Sequence, residues 1–253
     1  MPRFAANISL LFAERPFMAR FAAARDAGFD AVEILFPYEF AAADVVRALE
    51  ETGLELVLVN APPKKAAPDH PAVPGGEEAF RAAMEEVLDY VAPLDPGGIH
   101  VMSGYAEGLE AEEAFVDNLR WLADRAPERL FTIEPLNPVV QPGYFLNDYD
   151  LAARVLERVG RPNLGLQYDS YHAQMIHGDA LAVWHRHAPL VRHIQFGAPP
   201  DRSEPRLDQG PVDFPALLAA IDASGYAGWI GAEYNPTTAR TEDSLGWMTG
   251  LRR

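Results

Sequence analysis

Along 253 residues, short runs of β-branched, leucine and aromatic residues alternate with longer stretches of helical spacing. This alternation constrains the fold more than any other feature. The short runs cover residues 4–10, 31–36, 54–60, 98–102, 130–134, 164–169, 191–196 and 229–233. Helical patterns fill 15–27, 41–52, 77–91, 110–125, a segment capped by Asn147 and ending at Gly160, 179–187 and 213–224, with a short final helix after Asn235. Strict alternation of strand and helix implies parallel strands joined by right-handed crossovers. Eight strands in a chain near the ~250 residues typical of such folds predict an α/β architecture, a TIM (β/α)8 barrel with residues 1–253 in a single domain. An open, doubly wound sheet is the alternative.

Three connections are long, 61–76, 135–146 and 197–212. All follow strands, so in a barrel they lie on the C-terminal rim, where barrels build their sites. Pro62, Pro63, Pro68, Pro71 and Pro74 stiffen the first. Long loops in compact domains are usually functional, and these three are expected to be lids.

Several function classes are excluded or disfavoured. The chain has no cysteine, so disulfides, thiolate nucleophiles and Cys-based metal sites are ruled out. A formal net charge of −16, from 37 acidic and 21 basic residues, repels nucleic-acid backbones and anionic lipid. The N-terminal apolar stretch is interrupted by Asn7 and Ser9 and stopped by Glu14 and Arg15, a poor secretory signal. No uncharged run reaches the ~18 residues of a membrane span. A soluble, cytoplasmic protein is expected, with no nucleic-acid or membrane partner. A homo-oligomer is compatible with the sequence.

The chemistry is expected where the later strands end. LFTIEP ends in Glu134, LGLQYD in Asp169, VRHIQF presents Gln195, and WIGAEY ends in Glu233. Neighbouring strands lie ~4.8 Å apart, so these side chains can converge. Three carboxylates meeting in an apolar mouth repel one another, and a divalent cation relieves that repulsion. An all-oxygen set matches Mg²⁺ or Mn²⁺ better than Zn²⁺. Taken singly, each acid could equally be a helix cap or an ion-pair partner; four in register favour a site.

His172, three residues after Asp169, either polarises a substrate oxygen or is a surface histidine opening a loop. His100 either lines the barrel interior, facing substrate, or is a core histidine. His193 shares a strand face with Gln195 and is expected to support it rather than bind metal. His70, His177, His185 and His187 read as surface residues. Arg202, Arg206, Lys64 and Lys65 on the rim loops could recruit an anion in so acidic a chain.

FAANISLLF, GFDAVEILFPYEF, HVMSG, TIEPLN followed by PGYFL, LQYDSYHAQ, HIQFGAPPDRSEP and GAEYNP together resemble the hydroxypyruvate isomerase family of the xylose isomerase-like TIM barrels. The resemblance covers nearly the whole chain. It implies a metal on Glu134, Asp169, Gln195 and Glu233, proton transfer by the two glutamates, and His172 and Arg202 near the substrate. Gln195, where related sugar epimerases usually carry His, favours the isomerase branch. Two rim segments depart from the family pattern: NAPPKKAAPDHPAVPGG after the third strand, and Gly210–Pro211 where the family has Gly-Glu.

The expected reaction interconverts hydroxypyruvate and tartronate semialdehyde through a cis-enediolate, with a small anionic hydroxy-carbonyl acid as substrate and no nucleotide cofactor. Isomerisation of a longer acid such as 2-oxo-tetronate, ketose 3-epimerisation, an endonuclease IV-type activity and simple sugar-acid binding are the alternatives.

Overall fold

A computed structural model describes residues 2–61 and 69–251. The strands are β1 (Arg3–Asn7), β2 (Ala31–Ile34), β3 (Glu55–Ala61), β4 (Ile99–Val101), β5 (Phe131–Ile133), β6 (Leu164–Asp169), β7 (Val191–Phe196) and β8 (Trp229–Ala232). They pair in parallel in chain order, and β8 closes onto β1 as a barrel. The helices are α1 (Ala19–Asp26), α2 (Ala42–Thr52), α3 (Glu77–Val91), α4 (Gly108–Arg125), α5 (Tyr149–Val159), α6 (Ser170–His177), α7 (Ala180–His187), α8 (Phe214–Ala223) and α9 (Gly246–Leu251). No helix among the described residues is long and apolar enough to cross a membrane.

Alternation along each strand sorts the side chains into two environments. One face packs against the helices: Phe4, Val32, Phe131, Leu166, Tyr168, Ile194, Phe196 and Ile230 join the main apolar core. Phe196, for example, meets Phe214 of α8 with ring centroids 5.2 Å apart. The opposite face points into the barrel and carries polar residues: Asn7, Glu33, His100, Thr132, Gln167, Asp169, His193 and Gln195 are all buried. At the N-terminal end a small cluster of Ala5, Ala31 and Val57, with Trp229 against it, closes the interior. The tail packs on the barrel, with Trp247 edge-on to Phe4 at 5.0 Å.

Several expected boundaries shift for local reasons. β1 stops at Asn7, whose carbonyl accepts from the Leu10 and Leu11 amides and turns the chain. Residues 15–18 form turns rather than the first turn of α1. The cap of α5 is Asp148, which accepts from the Leu151 amide, and not Asn147, whose side chain donates to the Tyr144 carbonyl. Residues 170–177, for which no helix is expected from the sequence, form α6. His70 and His187, read as surface residues, are 4% exposed.

Candidate active site at the C-terminal mouth of the barrel

Four strand ends deliver the predicted oxygen donors. Asp169 and Gln195 are register partners on β6 and β7. Glu134 directly follows β5, and Glu233 follows β8, where its amide donates to the Phe196 carbonyl at 3.1 Å. All four are buried. Glu134, Asp169 and His172 offer ligand atoms that all lie within 4.8 Å of one another. Glu233 is outside that group and is joined to Asp169 through Arg202, which donates to Asp169 Oδ2 at 2.8 Å and to Glu233 Oε2 at 2.6 Å.

His172 reaches the site because Asp169 does two jobs. Asp169 ends β6, and its Oδ1 accepts from the Tyr171 amide at 2.7 Å, capping α6. The helix so started places His172 one turn above the carboxylate, with Nε2 3.9 Å from Asp169 Oδ2. The Asn137 backbone amide donates to His172 Nδ1 at 2.9 Å. An amide can only donate, so Nδ1 carries no proton and Nε2–H faces the site. Burial and the nearby Arg202 charge hold His172 well below the ordinary histidine range, so it is neutral.

The electrostatics follow from three acids in a dry mouth. Burial, then the Asp169 and Glu233 charges, push Glu134 well above the carboxylate range. Burial also raises Asp169 and Glu233, and Arg202 opposes the rise in both. Burial alone would lower Arg202, but Glu233, Asp169 and Glu134 hold its guanidinium above its ordinary value. Burial, with the His193 and Arg202 charges, lowers His100 to about 3.

Glu134, Glu233, Arg202, His172 and His100 line a cavity of about 230 Å³ with Asn60, Tyr144 and the rim residues His70, Tyr105, Val140 and Gln141. Glu134 Oε1, both ring nitrogens of His100, Asn60 Oδ1 and Arg202 Nε are buried there without a hydrogen-bond partner. An unpartnered carboxylate oxygen beside a second buried carboxylate fits a hard divalent cation. Arg202 sits on the strand-seven loop with φ 53°, between Ala198 and Ser203, which pair as an isolated bridge. Gly197 permits this approach, since a Cβ there would lie 2.8 Å from the Glu233 carbonyl oxygen and 3.2 Å from Arg202 Cγ.

Of the predicted site residues, the structure brings together Glu134, Asp169, Gln195, Glu233, His172, Arg202 and His100. Lys64 and Lys65 lie outside the described residues. Sequence reasoning missed Glu33, Gln167 and Asn137. Gln167 Nε2 donates to Glu134 Oε2 at 3.0 Å and to Gln195 Oε1 at 2.8 Å. Two signals were available: Glu33 is a lone acid inside the apolar run AVEILF, and Gln167 stands two residues before Asp169, on the same strand face.

The description "Xylose isomerase-like TIM barrel" belongs to the family model that matches residues 21–251. A 2-oxo-tetronate isomerase of Cupriavidus necator is 40% identical over 98% of this chain and 98% of its own. A human protein provisionally named a hydroxypyruvate isomerase is 38% identical over 97% of this chain and 94% of its own. A crystal structure described as AP endonuclease, family 2, from Brucella melitensis superposes with a TM-score of 0.92 at 41% identity, covering 99% of both chains. The chain therefore belongs to the xylose isomerase-like TIM barrel family, in the group that holds the hydroxypyruvate and 2-oxo-tetronate isomerases.

Proposed function

We propose that this chain is a divalent-metal-dependent isomerase that interconverts a small 2-oxo-3-hydroxy acid and its 2-hydroxy-3-oxo isomer. Hydroxypyruvate and tartronate semialdehyde are the three-carbon pair; 2-oxo-tetronate is the four-carbon substrate of the same reaction. The observation that carries this reading is the set of three carboxylates and one amide buried at the C-terminal strand ends, with Glu134 Oε1 unpartnered at the cavity. Glu134, Asp169, Gln195 and Glu233 would hold the metal. Bound there, Mg²⁺ or Mn²⁺ would act as a Lewis acid on the two vicinal oxygens of the substrate and acidify the carbon-bound hydrogen beside the carbonyl.

The remaining work falls to the chain. One of Glu134 and Glu233 removes the proton from C3, giving an enediolate, and a glutamate returns a proton to C2. Burial raises both carboxylates in the metal-free site and a bound dication would bring them down again, towards the range where an acid can give as well as take a proton near neutrality. The hydroxyl proton must pass from O3 to the neighbouring O2, and the neutral His172 Nε2–H is assigned to hydrogen-bond these oxygens while it moves. Arg202, with Nε unpartnered, and His100 face the cavity and are assigned to binding the anionic substrate. The Brucella protein's description as an endonuclease is not carried over, because a net charge of −16 opposes a phosphodiester polymer.

The test is proton NMR of the Mg²⁺-loaded protein in deuterated water with hydroxypyruvate, 2-oxo-tetronate and fructose. Isomerisation with deuterium incorporation is expected for the acids and not for fructose. Absence of exchange with either acid contradicts the proposal.

A further inference from the structure

Beneath the mouth, one buried acid has no part in the reaction described above. Glu33 of β2 is 0% exposed and lies inside the barrel. Its Oε2 accepts from Gln195 Nε2 at 2.8 Å and from Asn7 Nδ2 at 3.2 Å, and its Oε1 is 2.5 Å from His193 Nε2. Gln195 and His193 are on β7, which is separated from β2 by β1 and β8 in the barrel order. The carboxylate therefore crosses the interior. It does so over Gly231 of β8, where a Cβ would lie 2.1 Å from Glu33 Oε1. No side chain but hydrogen fits at 231 while Glu33 keeps this course.

The chemistry of the contact decides an orientation. The two ends of the Gln195 amide are nearly the same size and opposite in polarity, so packing alone does not choose between them. Glu33 Oε2 already accepts from Asn7 Nδ2 and so presents an acceptor to Gln195, which must turn its NH2 end towards it. Oε1 is then turned away from Glu33, where it accepts from Gln167 Nε2, the same nitrogen that donates to Glu134. We infer that Glu33 is a positioning residue: crossing the barrel over Gly231, it fixes the Gln195 amide with its carbonyl oxygen towards the metal-holding carboxylates. This rests on the reading that Gln195 is a metal ligand. Without Glu33 the NH2 end loses its acceptor and the orientation rests on the Gln167 hydrogen bond alone, so the flipped amide, which presents N–H to a cation, becomes more populated.

The test is a double-mutant cycle read by calorimetric titration of the full-length, metal-free protein with Mn²⁺. In the Gln195 background, Glu33→Met is expected to weaken Mn²⁺ binding by about 10–100-fold, the usual cost of losing a residue that orients a ligand. A carboxylate presents oxygen at both ends and needs no orienting, so in the Gln195→Glu background the same Glu33→Met change is expected to cost nothing or to tighten binding. Gly231→Ala, which displaces the Glu33 carboxylate without removing it, serves the same cycle if Glu33→Met does not fold. An equal loss in both backgrounds makes Glu33 merely structural and overturns the inference; so does unchanged affinity in the Gln195 background. Absence of Mn²⁺ binding by the unmutated protein overturns the metal reading, and this inference falls with it.

Discussion

Two polar layers inside the same barrel are built from the same kinds of side chain and differ in how completely they are satisfied. In the upper layer, at the mouth, Glu134, His100, Asn60 and Arg202 each keep a buried nitrogen or oxygen without a partner. In the layer beneath, Asn7, Glu33, Thr132, Gln167 and His193 are tied together: Thr132 donates to Gln167, Gln167 to Gln195, Gln195 to Glu33, and Asn7 and His193 meet the same carboxylate. Leaving a buried polar group unpaired costs about 1–3 kcal/mol, so a fold tolerates a cluster of such groups only where something else is to meet them. A fully paired network instead makes a rigid floor. On the proposed reading substrate and metal are handled in the upper layer, and the lower layer holds it in shape.

This contrast can be broken by experiment. Stripping divalent metal with a chelator should abolish isomerisation while leaving the far-ultraviolet circular dichroism unchanged, and Mg²⁺ or Mn²⁺ should restore it. Glu134→Gln keeps the shape and removes one of the two carboxylates assigned to proton transfer; turnover should fall by about 10²- to 10⁴-fold, with an unchanged thermal midpoint. In the lower layer the balance reverses. Gln167→Leu strands the Thr132 hydroxyl and takes a donor from Glu134 and Gln195, so urea denaturation should show a loss of about 1–3 kcal/mol. His100→Leu should cost no stability at all. Both its ring nitrogens are unpartnered and burial keeps it uncharged, so the variant should be as stable as the parent or more so by about 1 kcal/mol, while its KM for the acid rises. A large loss of stability in His100→Leu, or none in Gln167→Leu, would erase the distinction between the layers.

The two layers also differ in how far they could be read from sequence. The barrel and the upper layer were readable because each of Glu134, Asp169, Gln195 and Glu233 stands at or near the end of an apolar run, where strand geometry leaves little choice of direction. The lower layer was not, because its meaning is in contacts between strands far apart in sequence. Glu33 and His193 are 160 residues apart. Nothing local announces their meeting, and Gly231, which makes room for it, reads as an ordinary small residue in a strand. α6 was hidden for another reason. Its first residues, DSYH, have the polarity of a loop, and the cap that starts the helix is Asp169, already assigned to the site. Missing that helix left the burial of His172 unforeseen. His70 was misread because its side chain turns in to the cavity, over Gly104, instead of standing in solvent.

The central claim, that four oxygen donors share one dication, is tested most directly by an anomalous difference map from a crystal grown with Mn²⁺. The account predicts a single strong peak about 2.0–2.4 Å from one oxygen each of Glu134, Asp169, Gln195 and Glu233, with Arg202 withdrawn from between the carboxylates. A peak elsewhere, or none with Arg202 still bridging Asp169 and Glu233, would contradict it.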